Sequence, residues 1–134
     1  MIVVDGYNLI GQEAGHLSGL SLEKEREKLL RRLEQLSAVS GERFLVVFDG
    51  SLRAENSLAQ KTSRAVGSVS VAFSRSGQTA DGWILKYLSR RPKQSAILIT
   101  RDRELAQKAK KLGFKIQADL SWLEAKTDLY LSQP

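Results

Sequence analysis

Five polar side chains sit where they could do chemistry together. Asp5 closes the apolar run Met1-Ile2-Val3-Val4, and Asp49 closes Phe44-Leu45-Val46-Val47-Phe48. Asp102 follows Ala96-Ile97-Leu98-Ile99 across Thr100-Arg101. Asp81 stands just behind Thr79 at the start of a helical stripe, and Asn8 lies just behind Asp5. Each run reads as a short buried strand, so three strands each deliver an Asp at a C-terminal end, where open α/β sheets keep their sites. Crowded carboxylates repel one another. They must raise their pKa values, pair with bases or bind a cation. The motifs hold no base except Arg101 and Arg103, and carboxylate oxygens suit Mg²⁺ or Mn²⁺. Such ions beside a basic segment describe a phosphodiester hydrolase. Each acid also has a purely structural explanation. Asp-Gly is an ordinary turn dipeptide, Asp81 suits the first turn of a helix, and Asp102 suits an N-cap. The recurrence at three strand ends and one helix start favours a site.

The elements that must position these acids follow from the pattern. Gly6 is expected to let the chain turn sharply after the first strand. Segment 9–20, with Gly11, Gly15 and Gly19, reads as a loop; it holds His16, the only histidine, without zinc-ligand company. A helix spans 21–40, capped by Ser21, with Leu22, Leu29, Leu30, Leu33 and Leu36 inward. The run from Glu23 to Lys28, Arg26 included, reads as its solvated face, and Gly41 ends it. Strand 43–48 then completes a right-handed βαβ unit.

Residues 51–67 have no clear period, and Arg53, Lys61 and Arg64 outnumber Glu55. A basic loop leaving the rim beside Asp49 is what a phosphodiester site wants, with a short helix within 54–66 as an option. Val69, Val71 and Phe73 mark a strand over 68–74. Thr79 caps a helix over 80–90, with Ala80, Trp83, Ile84, Tyr87 and Leu88 as its apolar stripe and Pro92 barring continuation. Tyr7, Trp83 and Tyr87 are candidates for base stacking; Trp83 and Tyr87 lie on the apolar stripe, which favours core packing for them and leaves Tyr7 open. Strand 95–99 leads through Asp102 to a helix ending near Leu112, stopped by Gly113. Phe114–Gln117 forms a last strand, and Ser121…Glu124 forms a capping box for a helix to Leu131.

Alternating strands and helices predict one α/β domain with a mainly parallel sheet covered on both faces. The 134 residues and 42% apolar content fit a single folded domain over 1–134. There is no membrane-length apolar run, no signal-peptide pattern and no cysteine, which suits the cytoplasm. A net charge of +6 favours a polyanion, RNA or DNA, or serves solubility alone. Other acid-rich α/β sites fit less well. A receiver domain wants an acidic pair after its first strand, and a haloacid-dehalogenase-like site wants Asp-x-Asp. Phosphate-cradling glycine motifs are absent, and one loop histidine makes no Ser–His–Asp triad.

Taken in order, Val4-Asp5-Gly6-Tyr7-Asn8-Leu9-Ile10, Val46-Val47-Phe48-Asp49-Gly50, Thr79-Ala80-Asp81 and Thr100-Arg101-Asp102-Arg103 resemble the signature blocks of the NYN domain. More narrowly, they are similar to its YacP-like branch. The resemblance implies a PIN-like three-layer α/β/α sandwich and a metal-dependent endoribonuclease using Mg²⁺ or Mn²⁺. Carried over by position, Asp5, Asp81 and Asp102 would be the metal-binding acids, with Asn8 and Asp49 beside them in the catalytic set. Arg53, Lys61, Arg64, Arg75 and Arg101 would grip RNA phosphates, the RNA being messenger or ribosome-associated. Relatives commonly carry Ser where this chain has Arg101, so that cation would pair with Asp102 or contact phosphate. For this branch the C-terminus is short and the 51–67 loop trimmed. The alternative is a non-catalytic RNA-binding module with the same fold.

Overall fold

The computed structural model describes residues 1–14, 19–50, 64–66, 68–75 and 77–131. In chain order the elements are β1 (Ile2–Asp5), α1 (Gly6–Ala14), α2 (Gly19–Ser40), β2 (Phe44–Phe48), β3 (Arg64–Val66), β4 (Val69–Phe73), α3 (Ala80–Ser89), β5 (Ile97–Ile99), α4 (Arg103–Lys111), β6 (Lys115–Gln117) and α5 (Ser121–Leu131). The strands form one sheet in the order β3-β4-β2-β1-β5-β6. Five are mutually parallel, and β3 adds an antiparallel edge. That short strand ends the segment expected to be irregular; Arg53, Lys61 and His16 lie outside the described residues.

Three layers follow from the alternation of side chains along each strand. Ile2, Val4, Phe44, Val46 and Phe48 pack against Leu9 and Ile10 of α1, Leu29, Leu30, Leu33 and Leu36 of α2, and Leu123 of α5. Val3, Leu45, Val47 and Leu98 face the other way, onto Ala80, Ile84 and Leu88 of α3 and Leu105 and Ala109 of α4. β1 is covered on both faces, which is why its apolar residues run without interruption. The architecture is an α/β/α sandwich.

The sheet order has a functional consequence. From β1 the chain builds outward through β2 and β4, then α3 carries it back across to β5 on the other side. The order therefore reverses between β1 and β5, and their C-terminal ends flank the crevice where such sheets bind ligands.

The segment expected to be a loop is mostly helical. α1 begins on the residue after β1, and Leu9 and Ile10 are buried in the core. Their burial overrides the low helix propensity of the nearby glycines. Gly6 is accordingly not a sharp turn but the first residue of α1, outside the glycines with positive φ. Its lack of a side chain serves contact: a Cβ there would lie 2.4 Å from Phe48 Cε1 and 3.1 Å from the Val47 carbonyl oxygen. Phe48 is fully buried and cannot give way. Gly6→Ala is expected to cost about 3 kcal/mol of stability, read as a fall in the midpoint of urea unfolding.

Arg26 is also not on the solvated face. It occupies the buried stripe of α2 at 6% exposure, donates to the Tyr7 hydroxyl at 2.8 Å and faces Glu23 at 3.6 Å. Its guanidinium lies over the Phe73 ring, 5.9 Å from the centroid. α2 starts at Gly19, so Ser21 is already helical and is not its cap; other helix ends follow local chemistry more closely. Thr79 caps α3 by accepting from Gly82 N–H at 3.1 Å, and Gly41 and Gly113 take positive φ beyond α2 and α4. At α5 the cap shifts. Ser121 is already helical, and the Asp119 carboxylate accepts from its N–H at 2.9 Å. Among the described residues no helix is long and apolar enough to cross a membrane.

Candidate active site

The sheet brings four of the acids within electrostatic reach of one another. Asp5 ends β1 beside Val47 of β2, and Asp49 follows β2 directly. Asp102 caps α4 just beyond β5, and Asp81 lies in the first turn of α3, whose N-terminus points back to the same rim. Asp5 is the most enclosed, 6% exposed. Burial above all pushes its carboxyl from the ordinary 3.8 up to about 7; the Thr100 hydroxyl opposes this, and Asp81, Asp102 and Asp49 add to it. Burial and then Asp102, through charge and a shared hydrogen bond, push Asp81 up to about 6, with Glu104 adding and Lys108 opposing. A hydrogen bond between two carboxyl groups requires a proton between them.

Thr100 is the part of the site that sequence reasoning did not single out. It is 3% exposed at the end of β5. Its hydroxyl donates to Asp5 Oδ2 at 3.0 Å and accepts from the Asp102 N–H at 3.1 Å, so one side chain ties two of the acids. A hydroxyl-bearing residue directly after a buried strand at the acidic rim was the available clue. Asp102 uses Oδ1 to cap α4, accepting from Glu104 N–H at 3.0 Å and Leu105 N–H at 3.1 Å. Capping and a role in the acid cluster are therefore compatible. Asn8, in the first turns of α1, accepts through Oδ1 from the Arg101 N–H at 2.9 Å, which locks α1 to the loop that carries Asp102.

Gly50 shows how tightly the rim is built. Its N–H donates to Ser74 Oγ at 2.9 Å, and a Cβ there would stand 1.9 Å from the Ser74 carbonyl oxygen. The Asp-Gly pair after β2 thus reflects close backbone approach of β2 and β4.

The basic residues divide. Arg101 pairs with Asp119 at 3.2 Å, not with Asp102, and Asp119 is the partner that the sequence did not reveal. The Ser121 hydroxyl and N–H, with Arg101, hold the Asp119 carboxyl below the ordinary range. Arg64 starts β3 at the far edge of the sheet. Arg75 is exposed in the loop between β4 and α3, on the acid-bearing side. Among the described residues no three Asp, Glu or His side chains stand close enough to hold one metal ion as placed.

A parallel sheet with acids gathered at its C-terminal crevice and helices on both faces is the layout of a PIN-like nuclease fold. The family model of the YacP-like NYN domain matches residues 2–119, and the chain belongs to that family. It is 33% identical over 88 residues to the uncharacterized protein YacP of Bacillus subtilis (strain 168), covering 64% of this chain and 49% of that protein. The chain thus spans about half the length of this curated relative. The crystal structure of Rae1 (YacP) from Bacillus subtilis superposes with a TM-score of 0.72 at 22% identity, over 98% of this chain and 79% of that one. A mutant of the same protein gives 0.70 at 23%, over 96% and 74%. At these identities the likeness to the solved structures is one of fold.

Proposed function

We propose that residues 1–134 form one nuclease domain, a metal-dependent endoribonuclease that hydrolyses RNA at the acidic rim. The observation that carries this reading is the enclosure of Asp5 beside Asp81, Asp102 and Asp49, with Asp5 and Asp81 both pushed far above the ordinary carboxylate range. Strongly raised carboxyl pKa values cluster at functional sites, where repulsion that removing the charge would relieve is kept for chemistry.

Oxygen donors crowded this way suit a hard divalent ion, Mg²⁺ or Mn²⁺, better than any nitrogen- or sulfur-seeking metal. Asp5, Asp81 and Asp102 would hold it. When bound, such an ion supplies an acidified water and neutralises charge on the scissile phosphate. The chain's own residues do the rest. Thr100 holds Asp5 Oδ2 in place, and the α4 cap fixes the rotamer of Asp102. Asn8 sets the height of the 100–102 loop through Arg101 N–H. Asp49 adds negative charge at the β2 end, where it can orient water. Arg75 is placed to meet phosphates arriving at the rim, and Arg53, Lys61, Arg64 and Arg101 are offered for the same task.

Labelled single-stranded RNA should be cut in Mn²⁺ or Mg²⁺ and remain intact in EDTA. Binding without cleavage under both ions would replace this reading with that of a non-catalytic RNA-binding module.

A further inference from the structure

The outward side of α3 carries chemistry that the acidic rim does not use. Trp83, Lys86, Tyr87 and Arg90 recur at i, i+3, i+4 and i+7, about 140–240° round the helix from Asp81. Together with Arg75 before the helix and Arg91 after it, they line a cavity of about 780 Å³. Among the described residues no acidic side chain lines it. Arg75, Lys86, Arg90 and Arg91 are all exposed, and among the described residues no carboxylate pairs with any of them. Between these cations is a fixed aromatic stack. The Trp83 and Tyr87 rings lie 5.4 Å apart at 12°, and the Arg91 guanidinium sits 5.4 Å from the Tyr87 ring centroid. The Tyr87 hydroxyl donates to the Met1 sulfur at 3.2 Å, which anchors the ring. An adjoining cavity of about 470 Å³ shares Trp83 and Tyr87 and adds Arg43. Core packing was the favoured expectation for the two rings over base stacking; they pack on the core and line both cavities.

Unneutralised cations gathered around aromatic faces suit a partner with phosphates and accessible bases. A duplex hides its base faces, whereas a single strand offers them for stacking. A lipid surface is disfavoured, because the one exposed large apolar residue among those described is Val39, on α2 in the other layer. The cavity also has a direction. Arg75 lies where β4 leaves the rim, and Arg90 and Arg91 lie at the far end of a helix about 15 Å long. A strand leaving the acids would run down this groove.

We propose that the outer face of α3 is a binding groove for single-stranded RNA, holding the part of the substrate that extends beyond the acidic rim. Its role as a substrate groove rests on the nuclease reading; its capacity to bind does not.

The test is fluorescence anisotropy of a labelled oligouridylate in EDTA, across a salt series, with the Lys86→Gln/Arg90→Gln/Arg91→Gln variant. All three residues are exposed, and its thermal midpoint should match the parent. Affinity should fall about tenfold or more, and the salt slope should drop by about 2, near 0.7 for each lost single-strand phosphate contact. In a Trp122→Phe background, with Trp83 as the sole indole, the oligonucleotide should quench fluorescence. Unchanged affinity and slope in the triple variant would overturn the groove. So would equal binding of inorganic polyphosphate or of a duplex, which would reduce it to a charge patch. Binding that depends on these cations without any cleavage in Mn²⁺ would refute the nuclease and keep the groove. Cleavage with binding indifferent to them would do the reverse.

Discussion

Asp81→Asn is expected to lower metal-dependent RNA cleavage on the order of a thousandfold while leaving the fold in place. The amide keeps the shape of the carboxylate but loses the charge that would hold an ion. The fold has little need of that charge. Thr79, not Asp81, caps α3. Repulsion from Asp102 and Glu104 is relieved by the change, offsetting the loss of an anion in the first helical turn, about 0.3–1 kcal/mol. Cleavage of a labelled RNA and the circular-dichroism melting curve should be read on the same preparation. Full activity would remove Asp81 from the site, and an unfolded variant would make it structural.

Asp5→Asn should stabilise the protein above about pH 4, with the gain growing up to neutral pH. In the folded chain the carboxyl titrates near 7 against an ordinary 3.8. Below the lower value both states hold the proton and the group contributes nothing. Between the two values the unfolded chain has released its proton and the folded chain keeps it, so stability falls as pH rises. Above 7 the penalty is constant. The shift sets a ceiling of about 4 kcal/mol. The asparagine removes that penalty while its carbonyl oxygen can still accept from Thr100. Melting temperature should therefore rise by about 5–10 °C at pH 8 and stay near the parent value at pH 4. Mn²⁺ should raise the parent's melting temperature more at pH 8 than at pH 5, where protons compete for the same oxygens. The variant should lose most of that response. A variant less stable than the parent at pH 8 would show that the carboxylate is needed by the fold.

Much of this protein is legible from local pattern. Uninterrupted apolar runs of strand length, each closing on an Asp, announce buried parallel strands and the rim they share. The Leu stripe of α2, the Thr79 cap, Pro92 and Gly113 bound their elements because propensity, capping and stereochemistry act over a few residues. The four ordered motifs carried the family as well. What pattern could not supply was adjacency. Thr100 meets Asp5 across 95 positions of sequence, and Arg101 finds Asp119 across 18. The first contact exists because β5 returns beside β1, the second because β6 pairs with β5.

Tertiary packing also changed the meaning of individual residues. Gly6 looks like a turn residue but is a point of close approach to Phe48. Arg26 belongs to a charged run yet is buried over Phe73 and against Tyr7. Trp83 and Tyr87 belong to the core and also border a cationic groove. The amino-acid sequence by itself determined most of the strands and helices and which ends carry acids, because those depend on near neighbours; α1 and β3 were decided by packing. Only the folded sheet decided which acids repel, which hydroxyl ties them and which cations remain unpaired, because Coulomb and hydrogen-bond energies depend on distances in space.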